Sequence, residues 1–195
     1  MSATPVSLLE RLKTARPDAD DWRRLHEIYV PMVARWLARV PDVSESDAPD
    51  LAQEVLLVLF KAIPRFERQR EGSFRKFVKL TVLNRLRTYW KAGRKLPAAR
   101  GGDATIDFLA QLEDPNSGLS REWDREHNEV VFTRLMAIVK SDFDPRTWDA
   151  FQRFVIDKAP AKVVADELGM SVNAVLLAKS RILKRLRAEA AGLID

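Results

Sequence analysis

The stretch AKVVADELGMSVNAVLLAKSRILKRLR, residues 161–187, decides how the chain is read. An amphipathic run stops at Gly169. A second begins at Ser171 and carries Lys179, Arg181, Lys184, Arg185 and Arg187. Glycine tolerates the left-handed backbone that ends a helix. A serine two residues later can cap a new helix by accepting a backbone N–H. Ala165 is small where two helices cross closely, and Met170 can tuck into the core from the turn. Val164, Leu168, Val175, Ala178 and Ile182 then form an apolar seam. This pattern fits a helix-turn-helix better than an ordinary helical hairpin. In such a unit the second helix projects steeply and reads a DNA groove. Asn173, Ala174, Leu176, Leu177, Ser180 and Arg181 would face base edges, while Lys184 and Arg185 would meet phosphates. Arg181 suits a guanine, and Leu176 or Leu177 a thymine methyl. For the leucines a second role stays open: packing against an earlier helix of the same domain.

Outward from this motif, helical spacing recurs along the chain and no alternating strand pattern appears, so the expected fold class is all-α. Helices are expected at about 7–15, at 20–40 with Pro31 inside the pattern, at 49–63 capped by Ser46 or Asp47, and at 74–91 capped by Ser73. Residues 121–140 and 145–156 complete the set. Between them, residues 96–118 hold two prolines, three glycines and one short apolar cluster, Ile106–Leu112. This stretch reads as a linker without a core of its own. The expected organisation is therefore two small helical domains, 1–95 and 119–195, joined by a linker at 96–118, with the C-terminal one holding the helix-turn-helix.

The chain has 195 residues and is 46% hydrophobic, enough to bury a core. It contains no cysteine, which excludes disulfides and thiolate chemistry and fits a reducing cytosol. Two histidines, His26 and His127, are too few to suggest zinc. No apolar run approaches the ~20 residues of a membrane span, and the start MSATPVSLLERLK does not read as a leader. No carboxylate cluster for a metal and no nucleophile beside a base is found, so neither an enzyme nor a cofactor is expected.

Charge is segregated. Residues 65–100 carry 12 basic and 2 acidic side chains, and residues 158–187 carry 7 and 2. The intervening 101–157 is acidic, with 12 acids against 6 bases. Two separated basic blocks suggest two contacts along one polyanion. The first, RFERQREGSFRKFVKLTVLNRLRTYWKAGRK (65–95), mixes cations with aromatics, and aromatics can stack on unpaired bases. Phe74 and Phe77 are assigned to the core, and at least one of Tyr89 and Trp90 should leave it. Asn84 could bond a base edge or simply satisfy nearby backbone. Just upstream, Asp47, Asp50 and Glu54 share one helix face with Gln53 beside them. A bundle metal site needs a second Glu-x-x-His unit on another helix. The nearest approach to one, Asp124–His127, stands alone, so an acidic docking face for a basic partner protein is the better account.

Together these blocks resemble the extracytoplasmic-function class of the sigma-70 family, the promoter-specificity subunits of bacterial RNA polymerase. DAPDLAQEVLLVLFKAIPRFE is similar to the family's core-binding segment. GSFRKFVKLTVLNRLRTYWKAGRK is similar to the segment that captures and opens the minus-ten element, and residues 161–187 to the reader of the minus-thirty-five element. The resemblance implies that Asp50, Gln53 and Glu54 meet the polymerase. It implies that Arg65, Arg68, Arg70, Asn84, Arg87 and Lys91 meet minus-ten DNA, with 65–72 as the loop that holds a flipped base. Asn173, Leu176, Leu177, Ser180, Arg181 and Lys184 would meet minus-thirty-five DNA. The implied partners are core RNA polymerase and promoter DNA, and the acidic 101–157 could also serve an antagonist, an anti-sigma factor. The implied place of action is the cytoplasm. Leu176 and Ala178 stand where relatives often carry basic residues, and Leu83 and Thr88 where a basic and an acidic one are common, so the promoter sequence read cannot be copied from relatives. The alternative reading is a stand-alone helix-turn-helix regulator, which leaves the basic block at 65–100 unexplained.

Overall fold

Apolar residues at three- and four-residue intervals fold into helices and into no strand among the described residues. The computed structural model describes residues 7–16, 19–67, 72–92 and 102–194. In chain order the helices are α1 (Leu8–Leu12), α2 (Asp20–Leu37), α3 (Asp47–Ala62), α4 (Ser73–Ala92), α5 (Gly102–Glu113), α6 (Gly118–Lys140), α7 (Pro145–Phe151), α8 (Ala161–Leu168) and α9 (Val172–Ala190). A 3-10 turn, Ile63–Arg65, extends α3, and a π-helical turn, Gln152–Ile156, extends α7. The fold is all-α, as the spacing predicts. Among the described residues no helix is long and apolar enough to cross a membrane.

Two compact units emerge, one built on Leu8–Val131 and the other on Phe132–Ala191. This division differs from the expected one. The stretch expected as a linker, 96–118, contains helix α5, and Leu112 within it is buried. The boundary falls inside α6 and not at 118/119. The physical reason lies in α6 itself. Trp123, His127 and Val131 recur every four residues, share one face and are fully buried, so the first turns of α6 belong to the N-terminal unit.

The N-terminal unit is a layered bundle in which α2 packs on α3 and α3 on α4. Its α2 contributes Trp22, Leu25, Ile28, Tyr29, Met32, Val33, Trp36 and Leu37 to the core, and runs unbroken through Pro31. Helix α3 adds Leu51, Val55 and Leu59, and α4 adds Phe74, Val78, Val82, Leu83, Leu86 and Trp90. The cap of α3 is a correction. Ser46, at the N-cap position, makes no side-chain bond to the helix. Instead Ser44 Oγ accepts from the Asp47 N–H at 3.1 Å, and Ser44 O accepts from the N–H groups of Asp47 and Ala48. The chain turns one step earlier than the capping pattern suggests, so the donor nearest the first helical turn falls to Ser44.

In the C-terminal unit Asp144 caps α7, accepting from the Thr147 N–H at 2.9 Å, and hydrogen bonds from the Thr147 side chain and then its backbone hold the Asp144 carboxyl below the usual carboxylate range. Pro145 follows in the first helical turn, where a missing N–H costs nothing. Small and branched residues fill the crossing of α7, α8 and α9: Ala150, Val164, Ala165, Val175 and Ala178, with Leu168 and Met170 packed against them. Alanine at three of these five positions lets the helix backbones approach closely.

Candidate nucleic-acid interface

The turn between α8 and α9 sets the direction of α9. Gly169 adopts φ 60°, ψ 42°, the left-handed conformation that ends α8. The Met170 N–H then donates back to Ala165 O at 2.8 Å. Ser171 opens α9, its Oγ accepting from the Ala174 N–H at 3.1 Å. The left-handed glycine and the serine cap are those the sequence predicts. Arg146, which sequence reasoning missed, reinforces the turn from α7. Its Nε donates to Leu168 O at 2.9 Å, and its Nη2 donates to Leu168 O and Gly169 O. Nothing local signals this, because Arg146 lies more than twenty residues upstream.

Along α9, Val175, Ala178, Ile182 and Leu186 are buried. The opposite face presents Asn173, Leu176, Leu177, Ser180, Arg181 and Lys184, all exposed. Their spacing of three and four residues makes one continuous stripe. The two roles left open for the leucines now separate: Leu176 and Leu177 are each 45% exposed, so they do not pack into the core. Arg185 is a correction to its expected phosphate role. Its Nε meets Asp142 Oδ2 at 2.8 Å and its Nη1 donates to Glu189 Oε2 at 2.6 Å, so its charge is spent within the unit. Lys179 sits over the Phe154 ring at 5.3 Å from its centroid.

In the N-terminal unit the predicted residues lie on two faces. Asp50, Gln53 and Glu54 are exposed on α3. Asp47, on the same row, is drawn to α4, where it accepts from Tyr89 OH at 2.5 Å; that bond raises the phenol above its ordinary range. Glu54 lies 3.5 Å from Arg85 Nη1. Beside Gln53 opens an apolar cleft of about 370 Å³ lined by Trp22, His26, Leu56, Leu57 and Phe60. Leu57, 57% exposed at its edge, is a residue sequence reasoning missed. An exposed leucine on a helix otherwise amphipathic was the available signal.

The second face gathers around α4. Asn84, Lys91 and Arg65 are exposed. Arg87 is half-buried, and its Nη1 donates to Asn84 Oδ1 at 3.2 Å. Arg68 and Arg70 lie outside the described residues. Arg65, Lys61, Phe66, Lys76, Phe77 and Leu80 line a cleft of about 760 Å³ between the end of α3 and the start of α4. Phe66, not weighed at the sequence level, packs 5.3 Å from both Phe74 and Phe77. Phe74 and Trp90 are buried, while Phe77 and Tyr89 are half-buried. Cations beside partly open aromatic rings can hold a polyanion backbone and an unstacked base. Leu83 is fully buried, a position where an unpaired cation would not be tolerated.

His127 and Asp124 are committed elsewhere. Tyr29 OH is 3.0 Å from His127 Nε2, and His127 Nδ1 is 3.3 Å from Asn128 Oδ1. Asn128 Oδ1 already accepts from Arg75, so the network assigns the proton to Nδ1, with Tyr29 donating to Nε2. Burial pushes the imidazole down to about 4. Asp124 lies 3.0 Å from Lys79 Nζ and 3.3 Å from Arg75 Nε. No group of three metal-ligating side chains occurs among the described residues.

None of the curated proteins matches the sequence. Residues 25–96 match the family described as sigma-70 region 2. That span takes in α2 from Leu25, all of α3 and all of α4, the elements that carry the acidic face and the cation–aromatic cleft. Residues 25–96 are thus similar to sigma-70 region 2.

Proposed function

We propose that the protein is a sigma factor of the extracytoplasmic-function class, a non-catalytic subunit that lends RNA polymerase its promoter contacts in the cytoplasm. The observation that carries this reading is the pairing of a segment similar to sigma-70 region 2, at 25–96, with a separate unit whose α9 exposes a reading stripe behind a tight glycine turn. In this reading Asp50, Gln53 and Glu54 engage the polymerase, and the apolar cleft beside Gln53 supplies the desolvated centre that a rim of charge alone lacks. Arg65, Arg68, Arg70, Asn84, Arg87 and Lys91 serve the minus-ten strand. The rings of Phe66 and Phe77 offer stacking surface where the duplex opens.

The α8–turn–α9 unit acts as a helix-turn-helix on the minus-thirty-five element. Asn173, Leu176, Leu177, Ser180 and Arg181 reach base edges and Lys184 a phosphate. Two adjacent leucines at reading positions favour thymine methyls over donor-acceptor readout, with Arg181 left for a guanine. The acidic stretch 101–157 is a candidate seat for a separate antagonist protein. The test is reconstitution of the full chain with core polymerase, followed by run-off transcription from its target promoters. Charge reversal of Asp50 and Glu54 to lysine should abolish co-purification while leaving the fold intact. Retention of both polymerase binding and transcription by that variant sinks the reading.

A further inference from the structure

The basic block on α4 is not open. Four of its cations meet carboxylates from other parts of the same unit. Arg87 pairs with Glu113 at the end of α5. Arg75 and Lys79 share Asp124 on α6, and Lys79 Nζ also donates to Ser120 Oγ at 2.7 Å. Arg75 Nη1 donates to Asn128 Oδ1 at 3.0 Å. The fourth, Arg85, lies beside Glu54 of α3. Three of these four cations are therefore held by a single stretch of chain, α5 and the first half of α6.

That stretch is fastened by apolar and polar contacts together. Trp123 meets Trp36 at 5.0 Å between ring centroids, and both indoles bury their Nε1–H without an acceptor among the described residues. A buried donor left unpaired is costly. His127 is sealed against Tyr29 in its neutral form. Thr105 Oγ1 donates to Asp42 Oδ2, and Arg39 reaches Glu122 and Glu126 at exposed positions, where ion pairs contribute little. Between α4 and this stretch a cleft of about 360 Å³ remains, lined by Arg75, Lys76, Lys79, Glu113, Ser120 and Asp124. The contact is apolar along Leu112, Trp123 and Val131, and polar where it faces the cations of α4.

We propose that residues 102–131 are a built-in cover for α4, in which Glu113 and Asp124 stand in for the phosphates of a nucleic-acid strand. The inference rests on the reading of α4 as a nucleic-acid contact given above. A strand that enters must displace these carboxylates, so the isolated chain holds single strands weakly and gains affinity when the cover lifts. Such a cover limits promiscuous binding by a protein whose basic face would otherwise attract any polyanion.

The test uses the full-length chain and a fluorescent 20-mer of oligothymidylate, with the dissociation constant measured against salt concentration. The double variant Glu113→Gln, Asp124→Asn removes the carboxylates that face Arg87, Arg75 and Lys79. Each freed cation that meets a phosphate steepens the log–log salt slope by about 0.7, so the double variant should be steeper by about 2 and bind roughly tenfold more tightly at low salt. Glu113→Gln alone removes one exposed carboxylate, carries little folding risk and should steepen the slope by about 0.7. Glu122→Gln, which removes the same charge without touching α4, should leave the slope unchanged. Wild-type binding with an unaltered slope in both α4-facing variants overturns the cover and leaves the sigma reading standing. A steepening as large in Glu122→Gln also overturns it, since net charge alone would then suffice. Absence of binding by wild type and variants alike overturns the reading of α4 itself.

Discussion

Replacing Gly169 by alanine isolates the physical basis of the α8–α9 turn. At φ 60° an L-residue pays the left-handed penalty, about 1 kcal/mol for a single position. A second contribution comes from crowding: a Cβ built on Gly169 stands 3.3 Å from Arg146 Nη2. That guanidinium bonds Leu168 O and Gly169 O, so moving it forfeits hydrogen bonds worth about 1 kcal/mol in sum at so exposed a position. The expected loss is about 2 kcal/mol, or roughly thirtyfold in a local opening constant. Hydrogen exchange of the intact chain reads this directly, because the Met170 N–H is held by Ala165 O across the turn. Gly169→Asn should recover most of the backbone part, since asparagine enters the left-handed region more readily. Because part of the effect runs through Arg146, Gly169→Ala and Arg146→Ala should be less than additive by about 0.5–1 kcal/mol. Exchange in Gly169→Ala accelerated less than about threefold, or strict additivity in the cycle, would refute this account of the turn.

Other outcomes follow from the same geometry. His127 is neutral when folded and its pKa falls from 6.5 to about 4, so the folded state binds fewer protons than the unfolded one. Its contribution is fully present above pH 6.5 and fades as pH falls toward 4, so urea titrations at pH 5 should show about 2 kcal/mol less stability than at pH 7 from this group, and His127→Gln should flatten the difference. Leu176→Ala with Leu177→Ala should change stability by less than about 0.5 kcal/mol each, since both are exposed. The same pair should abolish the response of run-off transcription to replacing minus-thirty-five thymines with uracil, a change that removes only methyl groups. Ser44→Ala should cost about 1 kcal/mol in thermal unfolding, as an N-cap does, whereas Ser46→Ala should cost a small fraction of that.

What could be read from the sequence was what short-range chemistry determines. Gly169 and Ser171 announce the turn because their conformational roles depend on the residues themselves. The seam of Val164, Val175, Ala178 and Ile182 follows from helical spacing alone. The exposure of Leu176 and Leu177 did not, because two adjacent leucines fit a buried face as well as a reading face until α7 and α8 are placed. Arg185 looked like a phosphate ligand for a related reason: Asp142, its partner, lies 43 residues earlier and carries no local signature. Ser44 lost the cap to Ser46 and Asp47 on paper because a capping pattern tolerates a shift of a few residues, and only the path of the chain from Val40 decides which hydroxyl reaches the first free N–H.

The larger misreading, of 96–118 as a bare linker, has an electrostatic cause. Residues 102–131 are rich in acids and poor in continuous apolar sequence, the composition of a solvated tether. What orders them is distant: Arg87 for Glu113, Lys79 and Arg75 for Asp124, Trp36 for Trp123, Tyr29 for His127. None of these partners lies within the window in which periodicity is judged. The same pairings change what the basic block means. Counting 12 bases against 2 acids over residues 65–100 treats every cation as available, yet Arg75, Lys79 and Arg87 are already facing carboxylates from farther along the chain. The field that α4 presents to a polyanion is therefore a property of whether α5 and α6 are seated on it. Segment charge gives an upper bound, reached only with the seam open, and the salt dependence of strand binding measures how far below that bound the protein rests.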